Sequence, residues 1–177
     1  MKKWTINRVD KFLEIKKVIT QHFRKNVFSR KDSLTDTYSD GTFFIDYRKK
    51  QLLKYNYFLD LDNFKKVNDN LGPIQASNVL ASFISQLNLE LTNYKTRVYR
   101  LGGDEFIVSS NEIVEHILMG CKHCFTRNHN KFVITCSTVR LDLSFRDKID
   151  LEDELRRGHS IVKRLKKRKK QYDLFVS

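Results

Sequence analysis

Arg97-Val98-Tyr99-Arg100-Leu101-Gly102-Gly103-Asp104-Glu105-Phe106-Ile107-Val108-Ser109 reads as two short β-type runs joined by a tight bend. Arg97 to Leu101 and Phe106 to Ser109 carry the aromatic and β-branched residues that suit strands, and Gly102-Gly103-Asp104-Glu105 between them is a hairpin signal. A reversal with positive φ favours glycine, and two residues without side chains let a bulky ligand come close to the backbone. Upstream, Tyr55 to Asp62 alternates aromatic or aliphatic residues with others and stops at Asp60-Leu61-Asp62, as a central strand with a functional end would. The two acidic groups are expected to meet at one sheet edge.

Such a meeting is a metal site in outline. Mg²⁺ takes hard oxygen ligands and is usually bound by one or two carboxylates, with waters and substrate phosphates completing the octahedron. Asp60, the carbonyl of Leu61 and Asp104 would supply a partial shell of this kind. Two ions about 3.5 to 4 Å apart could activate an attacking hydroxyl and neutralise a leaving pyrophosphate. Phosphoryl transfer needs little more than that positioning and charge neutralisation.

Further out, helices alternate with strands. Val9 to about Lys25 has apolar residues at helical spacing, so residues 1–31 are expected to form an N-terminal amphipathic helix, either packed on the domain or serving as a dimerisation stalk. Asp32 to Gly41 looks like a loop, and Phe43, Phe44 and Tyr47 suit a short helix. Asn63 to Asn70 and Ile74 to Leu91 read as helices, as does Ile113 to Phe125. Phe132 to Leu141 reads as one strand, Leu151 to about Lys170 as a basic helix, and Tyr172 to Val176 as a last strand. The pattern predicts an α/β fold, a central mixed sheet with an antiparallel hairpin, flanked by helices.

Composition bounds the function. With 177 residues, 40% of them hydrophobic and including 13 Phe and 7 Tyr, the chain is expected to fill one core without disulfides or structural metal. No apolar run approaches the ~20 residues that span a bilayer, and no signal-peptide core follows Met1, so a cytoplasmic location is expected. The 3 cysteines suit reduced thiols. Cys121-Lys122-His123-Cys124, with His116 and His129 nearby, has a zinc-like spacing, but no second pair closes a four-ligand set. An excess of 34 Lys and Arg over 21 Asp and Glu, a net +13, favours polyanionic partners. The basic run Lys163 to Lys170 lacks the interleaved aromatics of a base-stacking surface, so nucleotide phosphates are a better match than nucleic acid.

Phe58-Leu59-Asp60-Leu61-Asp62-Asn63-Phe64-Lys65-Lys66-Val67-Asn68-Asp69, followed by Arg100-Leu101-Gly102-Gly103-Asp104-Glu105-Phe106, resembles the two signature segments of GGDEF-family diguanylate cyclases. Asp32-Ser33-Leu34-Thr35 resembles the family's entry motif, so the likeness runs from Asp32 to Val176, and residues 32–177 are read as the cyclase domain. The resemblance implies a polymerase-palm-like fold and a symmetric homodimer that condenses two GTP into cyclic di-GMP with Mg²⁺ or Mn²⁺, two ions per site. It implies Asp60, the Leu61 carbonyl and Asp104 as metal ligands, with Glu105 supporting the metal and the transition-state charge. Lys65 and the amides of Asn63 and Phe64 would hold phosphate oxygens, Gly102 and Gly103 would admit the nucleotide, and Asn68 would hydrogen-bond guanine. Lys166 falls at the family's phosphate-binding lysine and Lys170 at its arginine, keeping the charge without the bidentate fork.

The sequence departs from that pattern in three places. Ser77 stands where the family has a guanine-reading Asp, a change in base affinity of about 1.5 to 3 kcal/mol. A subgroup with Ser here makes cyclic GMP-AMP, so ATP beside GTP is one alternative. The entry loop Thr35-Asp36-Thr37-Tyr38-Ser39-Asp40 lacks the family's Gly-Leu and Asn-Arg, and a catalytically inactive nucleotide-binding or protein-interaction module is the other alternative. Asn93 and Thr96 replace the Arg and Asp of the inhibitory product site, so feedback through that site is not expected.

Overall fold

The structure is a computed structural model and describes residues 30–127, 130–143 and 151–175. In chain order its elements are β1 (Tyr38–Ser39), α1 (Asp40–Arg48), β2 (Tyr55–Leu61), α2 (Phe64–Leu71), α3 (Pro73–Glu90), β3 (Thr96–Gly102), β4 (Glu105–Ser110), α4 (Glu115–Gly120), β5 (His123–Arg127), β6 (Asn130–Ile134), β7 (Cys136–Leu141) and α5 (Leu151–Phe175). Five strands form one mixed sheet in the order β1-β3-β4-β2-β7, in which only β1 and β3 run parallel. The N-terminal helix expected around Val9 to Lys25 lies outside the described residues.

The period-2 alternation of the strands sorts the core into two layers. Tyr57, Leu59 and Leu61 of β2, with Phe106 and Val108 of β4, pack with Val79, Leu80, Phe83, Ile84 and Leu87 of α3. Phe58 and Ile107 point the other way, into a second cluster with Phe43 of α1, Tyr99 of β3, and Leu155 and Val162 of α5. The sheet is therefore covered on both faces. Asp60 shares the parity of Phe58, and Glu105 that of Ile107, so both acids belong to the face that α5 covers.

Local chemistry sets the breaks. Gly72, at φ +78°, ends α2 and precedes α3, whose first residue Pro73 has no amide hydrogen to leave unpaired. Ser39 caps α1 by accepting the Thr42 amide at 3.3 Å. Buried Asp46 ties α1 to β3, accepting from the Tyr99 hydroxyl at 2.8 Å and from Arg97 at 2.9 Å.

Three expectations are corrected. The helix over Ile113 to Phe125 is only the six residues of α4; beyond Cys121 the chain enters β5, which pairs with β6 and stacks Phe125 on Phe132 at 5.0 Å. Cross-strand aromatic pairing outweighs a weak helical pattern there. The strand over Phe132 to Leu141 splits at Thr135, leaving β6 with β5 and β7 with β2, because Thr135 turns toward Asp62 through two hydrogen bonds. The last strand over Tyr172 to Val176 is absent as far as Phe175, since α5 meets no Gly or Pro after Gly158 to stop it.

Candidate active site

The bend and the acidic strand end do lie side by side. Asp60 is paired directly opposite Glu105 across β2 and β4, and the amide of Leu61 donates to the Asp104 carbonyl at 3.3 Å. The Asp104 carboxyl is near enough to Asp60 to oppose its ionisation. Gly102 at φ +148° and Gly103 at φ +55° make the bend, and the register slips by one residue between Arg100 and Gly102. A Cβ built on either glycine would meet open space, so the backbone conformation is what selects glycine here.

Arg100 fastens this bend from below. Its guanidinium donates to the Gly103 carbonyl at 2.8 and 3.1 Å and to the Asp32 carboxylate at 3.0 and 3.2 Å. Asp32 in turn accepts the Thr35 amide at 2.9 Å and the Thr35 hydroxyl at 2.7 Å, so the entry loop keeps a closed turn despite its altered residues. A cavity of 250 Å³ beside the bend is lined by Asp32, Ser39, Asp40, Arg100, Leu101 and Gly102.

Helix α5 brings cations to the acids. The Lys166 ammonium bonds both the Asp60 carboxylate and the Leu61 carbonyl, two of the three oxygens assigned to a metal. One turn on, Lys169 donates to Asp62 at 2.8 Å and to the Cys136 carbonyl at 3.0 Å. The two aspartates respond oppositely. Burial pushes Asp60 up to about 7, with Asp104 adding repulsion that Lys166 only partly offsets. Burial acts the same way on Asp62, but bonds from Lys169, Thr135 and Ser137 outweigh it and hold the carboxyl below its ordinary range.

This donor set fits a divalent ion. Among the described residues no three His, Cys, Asp or Glu side chains gather into a closed cage. Two crowded carboxylates and a carbonyl form the open, hard-oxygen partial shell that Mg²⁺ completes with water and phosphate. The ammonium of Lys166 already stands there as a monovalent cation, and Asp60 remains undercompensated beside it.

Other expected residues are placed but not gathered. Asn63 adopts the left-handed conformation at φ +57° and opens α2, with Phe64 buried behind it. Lys65 and Asn68 lie exposed on α2, and Ser77 is half-buried near the start of α3. Among the described residues no bond joins these three side chains to the acids. Lys170 lies on α5, and its side chain is outside the described residues. Cys121 is buried after α4 while Cys124 is exposed on β5.

Four contributors escaped the sequence reading: Lys169, Arg100, Asp32 as its partner, and His159, whose Nδ1 lies 3.0 Å from Glu105 Oε1. Helical spacing carried the only available signal for two of them. His159, Lys166 and Lys169 stand at i, i+7 and i+10, one stripe of a helix.

The sequence model described as diguanylate cyclase, GGDEF domain, matches residues 29–171. A probable diguanylate cyclase of Escherichia coli (strain K12), DgcI, is 39% identical over 54 residues, which is 30% of this chain and only 12% of that protein's length. Diguanylate cyclase SiaD from Pseudomonas aeruginosa, solved with its activator SiaC, superposes with a TM-score of 0.62 at 17% identity, covering 91% of this chain and 66% of that one. The FimX GGDEF domain from Pseudomonas aeruginosa gives 0.61 at 13% identity over 80% and 96% of the two chains. The DgcB GGDEF domain from Caulobacter crescentus, solved in complex with c-di-GMP, gives 0.58 at 15% identity over 80% and 92%. At such identities the three structures speak for the fold, which is the mixed sheet and hairpin described above. With the family's sequence pattern running from residue 29 to residue 171 and its bend and acidic strand end side by side, this chain belongs to the GGDEF domain family.

Proposed function

We propose that the domain is a nucleotidyl cyclase that condenses two GTP into cyclic di-GMP, releasing two pyrophosphates. The observation that carries this reading is the convergence of Asp60, Asp104 and the Leu61 carbonyl on one corner that a cation already occupies in the form of the Lys166 ammonium. When bound, Mg²⁺ or Mn²⁺ supplies charge neutralisation at the reacting phosphate. The chain's own groups do the rest. Asp60, Asp104 and the Leu61 carbonyl would hold the metal, and Glu105 stands opposite Asp60 on the neighbouring strand. Lys166 moves its ammonium from Asp60 to phosphate oxygens, and Lys65 and Lys170 add positive charge for the triphosphate. One domain holds one nucleotide, so ring closure requires a second copy placed face to face. The domain carries no apolar helix among its described residues long enough to cross a membrane.

Ser77 favours a second reading, mixed cyclic GMP-AMP from GTP and ATP. A half-buried hydroxyl can donate or accept, and so does not reject adenine as a carboxylate would. Incubating the protein with Mg²⁺ and GTP, ATP or both, and identifying products by mass, decides between these. Cyclic di-GMP supports the first reading and cyclic GMP-AMP the second. No product at concentrations that support dimers would leave a nucleotide receptor and overturn both. Under either active reading Ser77→Asp is expected to raise the preference for GTP over ATP about tenfold, measured by competition.

A further inference from the structure

The chemistry just proposed makes no use of His159, which sits against Glu105, the residue directly opposite Asp60. Its Nδ1 is 3.0 Å from Glu105 Oε1, and both side chains are about one-third exposed (36% and 35%), half-shielded from competing water. A carboxylate only accepts, so the hydrogen of this bond belongs to Nδ1. The ring is itself held, edge-on to Phe58 with centroids 6.3 Å apart and planes at 82°.

What lets it reach is the residue before it. A Cβ on Gly158 would fall 2.7 Å from Leu141 Cδ2 and 3.3 Å from Phe58 Cβ, so the absence of a side chain at residue 158 lets α5 pack on β2 and β7 without displacing either. Glu105 is a long side chain with three rotatable bonds, directly opposite Asp60. Tethering Oε1 removes most of that freedom and leaves Oε2 outside this bond.

We propose that His159 is a positioning residue for Glu105: it donates from Nδ1 to Oε1 and presents the remaining oxygen to the metal–nucleotide corner. This rests on the cyclase reading of that corner. Outer partners of this sort commonly change metal affinity about 10- to 100-fold when removed.

The test uses the full chain, Mn²⁺ and a non-hydrolysable GTP analogue, with free Mn²⁺ followed by electron paramagnetic resonance. His159→Leu is expected to weaken Mn²⁺ binding about tenfold, and His159→Asn, whose side-chain amide replaces the Nδ1 donor, to restore it to within about threefold. In a Glu105→Ala background His159→Leu is expected to change it less than about twofold, because its route is already gone. Full additivity of the two changes, or no rescue by Asn, overturns the proposal. A nitrogen–proton correlation spectrum of the metal-free wild type must also show the hydrogen on His159 Nδ1. A bare Nδ1 overturns it even if His159→Leu fails to fold. The underlying reading is checked separately: wild-type binding lost in Asp104→Ala supports the corner, whereas a wild type that binds no Mn²⁺–nucleotide removes the reading and this inference together. Unchanged binding in every His159 variant removes the inference alone.

Discussion

Asp60 and Asp62 stand two residues apart, each bonded to a lysine of the same helix, yet they do opposite things. The Asp62 carboxylate accepts from two hydroxyls and an ammonium, and each of these favours its charged form. Asp60 has one ammonium and a second carboxyl pressed against it, and it is left short of compensation. Surroundings complete in themselves mark an acid that holds the fold together. An undercompensated acid at a sheet edge marks a place built to receive something more strongly charged.

The largest effect that would test this contrast is on turnover. Asp104→Ala should lower cyclic dinucleotide formation at least about a hundredfold while leaving thermal stability equal or higher, since it removes repulsion along with a metal ligand. Unchanged turnover would erase the distinction. Asp62→Ala should do the reverse, costing about 2 to 3 kcal/mol of unfolding free energy in denaturant titration, because it strands two hydroxyls and Lys169. Half of Lys169 is solvent-exposed, which keeps the figure below that of a fully buried pair.

The pH dependence of the metal-free protein should separate the two acids by sign. Asp62 binds its proton less readily when folded, so it contributes stability above the ordinary carboxylate range that is lost as pH falls through that range. Asp60 binds its proton more readily when folded, so its contribution declines as pH rises from the ordinary carboxylate range to about 7. Asp60→Asn should remove that decline and leave the acid limb unchanged, as read by midpoint temperature across pH 3 to about 8.

The smallest effect concerns the lysines. Without nucleotide, Lys166→Met should tighten Mn²⁺ binding a few-fold by removing a competing cation, whereas Lys169→Met should leave Mn²⁺ affinity within about twofold and lower stability by up to ~1 kcal/mol. Equal effects on Mn²⁺ would mean that the two aspartates are not distinct in the way proposed.

Much of this corner was legible in the residues. The hairpin announced itself through Gly102-Gly103 between β-type runs, and the strand ending at Asp60 through its alternation, because both signals are local. The split at Thr135 was not local: it depends on Asp62, 73 positions earlier in the chain, accepting the Thr135 hydroxyl. The short β5–β6 hairpin likewise depends on Phe125 meeting Phe132, which no helical or strand period within either segment reveals. Lys169 is not legible in the sequence because a run of eight basic or apolar residues does not disclose which face the helix turns to the sheet; Leu155 and Val162 fix that phase only once they are buried. His159 escaped for the same reason, and Asp60 differs from Asp62 in nothing that a sequence of alternating residues records.

Helix α5 is fastened in two ways along its length. Around Leu155, Gly158 and Val162 it is wedged into the second core cluster, a hold indifferent to dissolved ions. Around Lys166 and Lys169 it is moored by two ammoniums, each bonded to a carboxylate and a backbone carbonyl at the ends of β2 and β7. A divalent ion arriving at the corner would therefore compete with the outer mooring, whereas the wedge around Val162 does not depend on charge.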